Sequence, residues 1–309
     1  MRTITRSLSL GFILALSLAS YASTTDDSNS QDALPINLDG ASLGDFQLIN
    51  GQVVVSVDSE ELQASSCFPG LGFKMPSSAP KSLNKWWCNA TSEYAFLGFS
   101  YEISACQSKS ELTKDFKNIR NKFNGRYVRL YGNCDKKGYY DNVVDAAWDA
   151  GLGVHALIWF GFTGGNAWKT RRDELFGILH SNPKAKFVTR VVQFGSEPLF
   201  DDVLPHAQLA EQVIAAKKNL SSLHIPVTVS ELAYGYQERG GAQDVLNAID
   251  SINIHMLPFF DKTASTSNKS WPLVLGDLDW FIARGKGKKM YMDENGWPSK
   301  SYPGVEPNS

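Results

Sequence analysis

The sequence predicts an α/β protein of the (β/α)8 barrel class. Seven apolar, β-prone segments lie between residues 94 and 294, and their first residues are about 25 to 38 positions apart. A strand followed by a helix occupies about that length, so the spacing indicates repeated βα units and a parallel sheet covered by helices. No glycine-rich phosphate turn follows the first segment, which favours a closed barrel over an open doubly wound sheet.

The predicted strands are almost continuously apolar, as in strands that are buried on both faces. In order they are YAFLGFSY, RYVRLYG, GVHALIWFGF, FVTRVVQFG, IPVTVSEL, SINIHMLPFF and KKMYMDE. Between the first two, SKSELTKDFKNIRNKF predicts an amphipathic helix that begins with a capping-box pattern at Ser108 and Glu111. Its apolar positions repeat at helical spacing and share one face; they are Leu112, Phe116, Ile119 and Phe123.

The predicted barrel stops short of an eighth unit. After ENGWPS only KSYPGVEPNS follows, which is too short for a strand and its helix. We therefore expect the domain at residues 93–309 to be a barrel truncated after strand seven. Either the chain is a fragment, or another segment completes the barrel.

The N-terminal residues predict a secretory signal. Arg2 and Arg6 precede an apolar stretch at residues 8–19, and the small side chains at residues 20–22 suit a signal peptidase. The stretch is shorter than the roughly 20 residues needed to span a bilayer, so we expect residues 1–22 to be cleaved and the protein to have no membrane span. Residues 23–92 begin with STTDDSNSQD and show no sustained period, which predicts a disordered or irregular extension.

The four cysteines are expected to form disulfides, because these bonds persist in secreted proteins. Cys106 and Cys134 each follow a predicted strand by a few residues. If those strands are neighbours, the two loops leave the sheet side by side, so we favour this pair. The pairing of Cys67 with Cys88 then follows by elimination, and buried free thiols are the alternative.

Composition and motifs exclude several classes of function. The net charge is -2 and no long basic run is present, so we expect no nucleic-acid partner. The five histidines have no metal-binding spacing, and no Gly-x-Ser-x-Gly elbow occurs, so we expect neither a metal, a cofactor nor a serine nucleophile. Three sequons, at Asn89, Asn219 and Asn268, are typical of a secreted glycoprotein.

Two glutamates end predicted strands on which a barrel enzyme carries its active site. Glu197 ends the fourth strand and Glu294 the seventh. A carboxylate at a buried strand end is costly unless it is paired or has a chemical role, and hydrolysis of a glycosidic bond needs two. The alternative is that they are solvated loop residues, since Glu231 also ends a strand. Asp293 should face away from Glu294 by strand alternation, so we assign it a packing or capping role.

The motifs VVQFGSEPLF and ENGWPS, with GFSY and RLYG on the first two strands, resemble glycoside hydrolase family 17, especially fungal secreted glucan β-1,3-glucosidases. The resemblance extends from about Tyr94 to Pro303. It implies a retaining (β/α)8 glycosidase of cell-wall β-1,3-glucan metabolism, located outside the cell or in the wall. It also implies that Glu197 is the acid/base and Glu294 the nucleophile. Asn295 stands where the family usually has threonine.

Other residues near the predicted strand ends are candidate substrate contacts. Tyr101 and Tyr131 end the first two strands and are candidates for hydrogen bonds to the substrate or the nucleophile. Ser196 and Asn295 adjoin the two glutamates, and Trp297 lies in the turn that follows. Further aromatic residues are candidates for lining a glucan cleft, although core packing explains at least half of them: Trp159, Phe160, Phe162, Phe259 and Phe260.

Three functions fit these observations. The first is hydrolysis of β-1,3-glucan, by endo or exo action. The second is glucanosyl transfer, which uses the same covalent intermediate and passes it to a sugar hydroxyl. The third is a non-catalytic, glucan-binding wall protein, which the missing barrel end suggests. In each case we expect a monomer whose partner is a β-glucan polysaccharide.

Overall fold

A computed structural model describes residues 46–49, 52–55, 65–93, 96–161, 165–261, 263–264 and 266–297. The chain divides into two units, one of residues 14–63 and one of residues 1–13 with 64–309. The smaller unit contains an antiparallel pair, β1 (Phe46–Ile49) and β2 (Gln52–Val55). We had not predicted these strands, although the Asn-Gly dipeptide between them is a hairpin signal. The predicted signal segment lies outside the described residues.

The larger unit contains a parallel sheet whose seven strands pair in chain order. Each of the seven predicted segments overlaps one of these strands, and β3, β6 and β9 extend one residue beyond the predicted segment. They are β3 (Gly98–Glu102), β4 (Tyr127–Tyr131), β5 (Gly153–Leu157), β6 (Thr189–Ser196), β7 (Val227–Glu231), β8 (Ile252–Met256) and β9 (Met290–Asn295). The predicted (β/α) barrel without its eighth unit is therefore confirmed.

Helices follow the strands and cover the sheet. They are α1 (Lys109–Phe123), α2 (Tyr139–Ala150), α3 (Ala167–Ser181), α4 (Ala185–Val188), α5 (His206–Leu220), α6 (Ala233–Glu238), α7 (Gln243–Ala248) and α8 (Trp271–Arg284). Among the described residues, no helix combines the length and the hydropathy required to cross a membrane.

The predicted capping box of α1 is present. The Ser108 hydroxyl accepts a hydrogen bond from the Glu111 N–H at 3.2 Å, and the Glu111 carboxylate accepts one from the Ser108 N–H at 2.9 Å. The predicted apolar face is buried except for Phe123, which is 46% exposed because the helix ends there. Its ring packs edge-on against Phe99, with 5.4 Å between the centroids.

The ring of strands is nearly closed between β3 and β9. The Ser100 hydroxyl on β3 donates to the Asp293 carbonyl oxygen on β9 at 2.8 Å. This hydrogen bond connects the first and last strands of the sheet, at the position that an eighth strand occupies in a complete barrel.

Residues 65–92 pack against helices on the outside of the barrel. They contain the Cys67–Cys88 disulfide and a fully buried ring, Phe68. The Trp86 ring stacks on Trp148 of α2 at 5.9 Å between centroids, and its indole N–H donates to a backbone carbonyl of α4. This part of the predicted irregular extension consists of turns, an isolated bridge and a short 3-10 helix, and aromatic packing holds it in place.

Two strands have bulges near the site. On β9, Met292 is paired with Ile254 and Glu294 with His255, so Asp293 is an extra residue in the ladder. A similar irregularity in β6 lies between Gln193 and Ser196. Bulges redirect the side chains that follow them, and here they precede the two predicted catalytic glutamates.

Candidate active site

A buried arginine on β4 organises the site. Arg129 is 4% exposed, and its guanidinium donates to Glu294, to the Ser196 hydroxyl at 2.9 Å and to the Gln193 side-chain oxygen at 3.2 Å. It also lies 3.0 Å from the His255 Nε2 atom. A buried cation is costly unless charged and polar partners surround it, so this network fixes the position of Glu294.

Glu197 follows β6 directly and is held from two sides. Its backbone N–H donates to the Ser230 carbonyl at 2.8 Å, and its φ of 54° is in the left-handed region that non-glycine residues rarely adopt. Its carboxylate lies 2.7 Å from the His255 Nδ1 atom. One proton is shared in this bond: an ionised Glu197 accepts it from Nδ1–H, and a protonated Glu197, the form that an acid catalyst needs, donates it to Nδ1. The backbone conformation and the contact with His255 together therefore fix the direction of the Glu197 side chain.

The two glutamates face each other across His255. One oxygen of Glu197, one oxygen of Glu294 and a ring nitrogen of His255 all lie within 4.8 Å of one another. The Glu197 and Glu294 side chains are 25% and 28% exposed, whereas the His255 side chain is fully buried. The two strand-end carboxylates that the sequence analysis singled out therefore lie close together.

The charge of His255 depends on this neighbourhood. Burial lowers its pKa, but the hydrogen bond to Glu197 and the negative charges of Asp293 and Glu294 together raise it above the ordinary value. The imidazole therefore carries a positive charge to a higher pH than a free histidine does. It is a second basic group between the carboxylates, in addition to Arg129.

Asp293 lies inside the barrel, and our prediction that it faces the opposite side from Glu294 is wrong. Its carboxylate accepts from Gln193 at 2.6 Å, from Asn253 at 2.9 Å and from Ser230 at 3.0 Å. The bulge in β9 is the reason, because an extra residue cancels the alternation of consecutive side chains. Both acidic residues of MYMDE consequently point inward.

Glu231 is a third strand-end carboxyl group, and it is completely buried. It accepts hydrogen bonds from the N–H groups of Leu199, Phe200 and Leu232, at 2.7, 3.2 and 2.9 Å. Burial raises the pKa of Glu231 to about 8, although the three N–H bonds lower it. It is therefore an anchor for the loop that follows Glu197.

The same three side chains, Glu197, His255 and Glu294, have the types and spacing of cation ligands. Each already has a partner, since Glu197 is bonded to His255, and Glu294 to Arg129. A metal ion would have to displace or repel a buried guanidinium. The arrangement favours carboxylate and proton chemistry.

Two predicted substrate contacts lie elsewhere. Tyr101 lies on the outer face of the sheet, where its hydroxyl donates to Asp115 of α1 at 2.7 Å and its ring packs on Phe116. Phe160 is 3% exposed and packs in the core, against Trp168 and Phe194. Position at a strand end did not reveal which face each side chain takes.

The other predicted contacts lie toward the carboxyl ends of the strands. Tyr131 shares a face of β4 with Arg129 by alternation and is half-buried. The Trp159 ring lies 5.2 Å from the Arg171 guanidinium. Ser196 bonds Arg129 as described, and Asn295 is exposed.

An aromatic group lies beyond β8 and β9. Phe260, which is 62% exposed, and Trp297, which is half-buried, each lie 5.3 Å from the Phe259 ring, measured between centroids. Phe162 falls outside the described residues.

The predicted disulfides are both formed. Cys106 is bonded to Cys134, and Cys67 to Cys88, so the alternative of buried free thiols is wrong. The three sequon asparagines, Asn89, Asn219 and Asn268, are all exposed.

Sequence reasoning missed the residues between the glutamates. These are Arg129, Gln193, Ser230, Asn253, His255 and the inward role of Asp293. A signal was available, because each of these polar side chains interrupts a predicted apolar strand, and a buried polar group needs a partner.

Comparisons with known proteins agree with the fold. The family model described as the BtgE/BtgC glycoside hydrolase domain matches residues 96–306. A glycoside hydrolase family 17 β-1,3-glucanosyltransferase from Rhizomucor miehei superimposes with a TM-score of 0.56 at 18% identity, over 66% of this chain and 72% of that one. An active-site mutant of the Rhizomucor miehei β-1,3-glucanosyltransferase in complex with laminaritriose gives the same TM-score and coverage at 17% identity. No curated protein matches in sequence.

Proposed function

Because the chain belongs to the BtgE/BtgC glycoside hydrolase family, we propose that it cleaves β-1,3-glucan with retention of anomeric configuration. Membership makes it a glycosidase-type enzyme, and the substrate and the stereochemistry are the proposal. The observation that carries it is the spacing of the two carboxylates, whose nearest oxygens lie within 4.8 Å. Retaining enzymes hold their carboxyl groups about 5 to 5.5 Å apart, whereas inverting enzymes need about 6.5 to 9.5 Å to fit a water.

The contacts of each glutamate support its role. Glu294 is bonded to Arg129, which fixes the carboxylate for attack on the anomeric carbon. The C–O bond to the leaving sugar breaks as the Glu294 oxygen bonds to that carbon, and Glu197 gives its proton to the leaving oxygen. Glu197 then takes a proton from an incoming hydroxyl, whose oxygen displaces Glu294. His255 orients Glu197 in both steps.

Two findings favour β-1,3-glucan as the substrate. The motifs around Glu197 and Glu294 resemble those of glycoside hydrolase family 17. The two solved structures described above are β-1,3-glucanosyltransferases, and one of them is a complex with laminaritriose. We propose that the sugar contacts include Tyr131, Trp159, Ser196, Phe260, Asn295 and Trp297. Secretion, glycosylation, a wall location and a monomeric state remain predictions.

Transfer to a second sugar is the alternative that the solved structures favour. Hydrolysis and transfer share the glycosyl-enzyme and differ in the acceptor. Incubation with laminari-oligosaccharides separates them, because transfer yields chains longer than the substrate. Retention on insoluble β-glucan without turnover would instead support a non-catalytic wall protein.

Variants of the two glutamates test the assignment. We expect Glu294→Gln to abolish turnover of every substrate, because an amide is not a nucleophile. We expect Glu197→Gln to lower turnover of glucan by about 10²- to 10⁴-fold, and less for an aryl glucoside, whose leaving group needs little protonation. Glu211→Gln, an exposed change on α5, is the matched control.

Azide distinguishes the two roles. It should restore turnover to Glu197→Ala and give a glycosyl azide of retained configuration, because azide needs no base. If azide instead rescues Glu294→Ala with a product of retained configuration and Glu197→Ala with an inverted product, the two roles have been exchanged.

A further inference from the structure

Two exposed aromatic rings lie beside the loop that carries Glu197. Phe200 and Tyr234 are 47% and 51% exposed, and their ring centroids are 6.2 Å apart with 59° between the planes. Phe200 follows β6 and Tyr234 follows β7, so both lie at the carboxyl end of adjacent strands, as Glu197 does. Neither ring belongs to the core.

The backbone beneath these rings is held firmly. Glu231 accepts the N–H of Phe200, and the Asp201 N–H donates to the Glu197 carbonyl at 2.9 Å. Tyr234 lies on α6, which packs directly on the same anchor, because a Cβ atom at Gly235 would lie 2.4 Å from a Glu231 oxygen. Two neighbouring aromatic rings are thus presented to solvent from a backbone that hydrogen bonds hold in place, and their exposed faces offer flat apolar surface to a ligand.

We propose that Phe200 and Tyr234 form a sugar-binding platform on the leaving-group side of Glu197, which receives a pyranose ring of the glucan. The inference rests on the proposed function. An acid/base must contact the oxygen of the leaving sugar, so that sugar lies on the Glu197 side of the scissile bond. The C–H faces of a β-pyranose are apolar and slightly positive, which complements the negative face of an aromatic ring.

The platform has a consequence for the fate of the glycosyl-enzyme. The acceptor in a transfer reaction enters from the side that the leaving sugar vacates. A platform that retains a sugar there raises the occupancy of the acceptor relative to water. Phe200 and Tyr234 are therefore specificity residues that favour transfer over hydrolysis.

Binding measurements test the platform without turnover. In the Glu294→Gln background, calorimetry with laminaritriose should show about three- to tenfold weaker binding for Phe200→Ala and for Tyr234→Ala. Phe200→Tyr and Tyr234→Phe should bind as the parent does, because they keep the ring; the second change also removes the hydroxyl that bonds Glu238. Phe123→Ala is the matched control, since Phe123 is 46% exposed and has one comparable ring contact, with Phe99.

Partitioning tests the same idea in the active protein. With β-glucosyl fluoride as donor and laminaribiose as acceptor, the ratio of transfer to hydrolysis should fall about three- to tenfold in both alanine variants. Melting temperatures would identify a variant that misfolds, and Phe200→Leu then replaces it. Unchanged affinity and ratio, or an equal loss in Phe123→Ala, would overturn the platform. If the parent itself turns over no donor, the proposed function fails while calorimetry still decides the platform.

Discussion

Glu231 shows how a buried carboxyl group can support a site at some distance from the reacting atoms. Burial favours the protonated form of Glu231, and its oxygens accept from N–H groups of the loop after Glu197 and of Leu232, the residue before α6. The pKa of about 8 lies well above the ordinary 4.5, so the folded protein holds a proton that the unfolded chain has lost.

This gives a prediction for stability against pH. A raised pKa contributes stability that is complete below about pH 4.5 and is lost as the pH rises through about 8. We expect the free energy of unfolding, measured with urea, to fall by a few kcal/mol over that window. Glu231→Gln should flatten the fall, because an amide does not ionise.

The comparison isolates Glu231 from other groups. The raised pKa of His255 also makes the free energy of unfolding fall as the pH rises, but this contribution is common to the parent and the variant. Glu211→Gln, exposed on α5, serves as control and should keep the parental slope. An identical pH dependence in Glu231→Gln and the parent would contradict the assignment.

At the scale of elements, the Cys106–Cys134 bond ties the loop after β3 to the loop after β4. These loops border the strand that carries Arg129. The Cys67–Cys88 bond instead lies in the segment that packs on α2 and α4, away from the site. The two bonds close loops of similar length, with sequence separations of 28 and 21.

We therefore expect similar losses of stability but different losses of activity. Replacing either pair by serine should lower the free energy of unfolding by about 3 to 4 kcal/mol. Only the Cys106/Cys134 variant should also raise KM for laminari-oligosaccharides, because its loops lie at the mouth. Denaturant titration and steady-state kinetics measure the two effects, and equal KM changes would refute the distinction.

At the scale of the whole molecule, a second buried cluster closes the amino end of the barrel. The Glu93 carboxylate, from a residue that is 1% exposed, accepts from Arg190 of β6 at 3.1 Å and from the hydroxyls of Tyr127 on β4 and Tyr291 on β9. Burial raises the pKa of Glu93, but Arg190 and the two tyrosines together lower it below its usual value. One carboxylate thus connects three strands of the ring.

Removing that charge should weaken the whole fold. We expect Glu93→Gln to lower the free energy of unfolding by about 3 to 5 kcal/mol, because it leaves Arg190 buried without its countercharge. Since a lowered pKa gives stability that is lost as the pH falls below about 4.5, the variant should also be less sensitive to acid. Glu102→Gln, on the exposed end of β3, should change neither quantity. Equal acid sensitivity in parent and variant would argue against this role.

The strands could be predicted because buried strands appear in the sequence as apolar runs. The two glutamates could be predicted because a barrel carries its active site at the ends of those runs. Arg129 and His255 were not predicted because their contacts with the two glutamates depend on which strands are neighbours and on the register between them. Asp293 was placed on the wrong face because a shift of one residue reverses the side chains of a strand, and the bulge in β9 is such a shift. The pairing of β3 with β4 has no shift, and Tyr101 was misplaced because a position at a strand end does not reveal which face the side chain takes.

The hydrogen bond from Ser100 to the Asp293 carbonyl has a mechanical meaning. A ring of paired strands resists widening because the hydrogen bonds between neighbouring strands carry the load around the ring. At the seam between β3 and β9 the load passes through the peptide immediately before Glu294. Glu197 instead follows β6, which is paired with a strand on each side. If β3 and β9 move apart, Glu294 therefore moves relative to Glu197. The distance between the two carboxylates thus depends on the width of the seam.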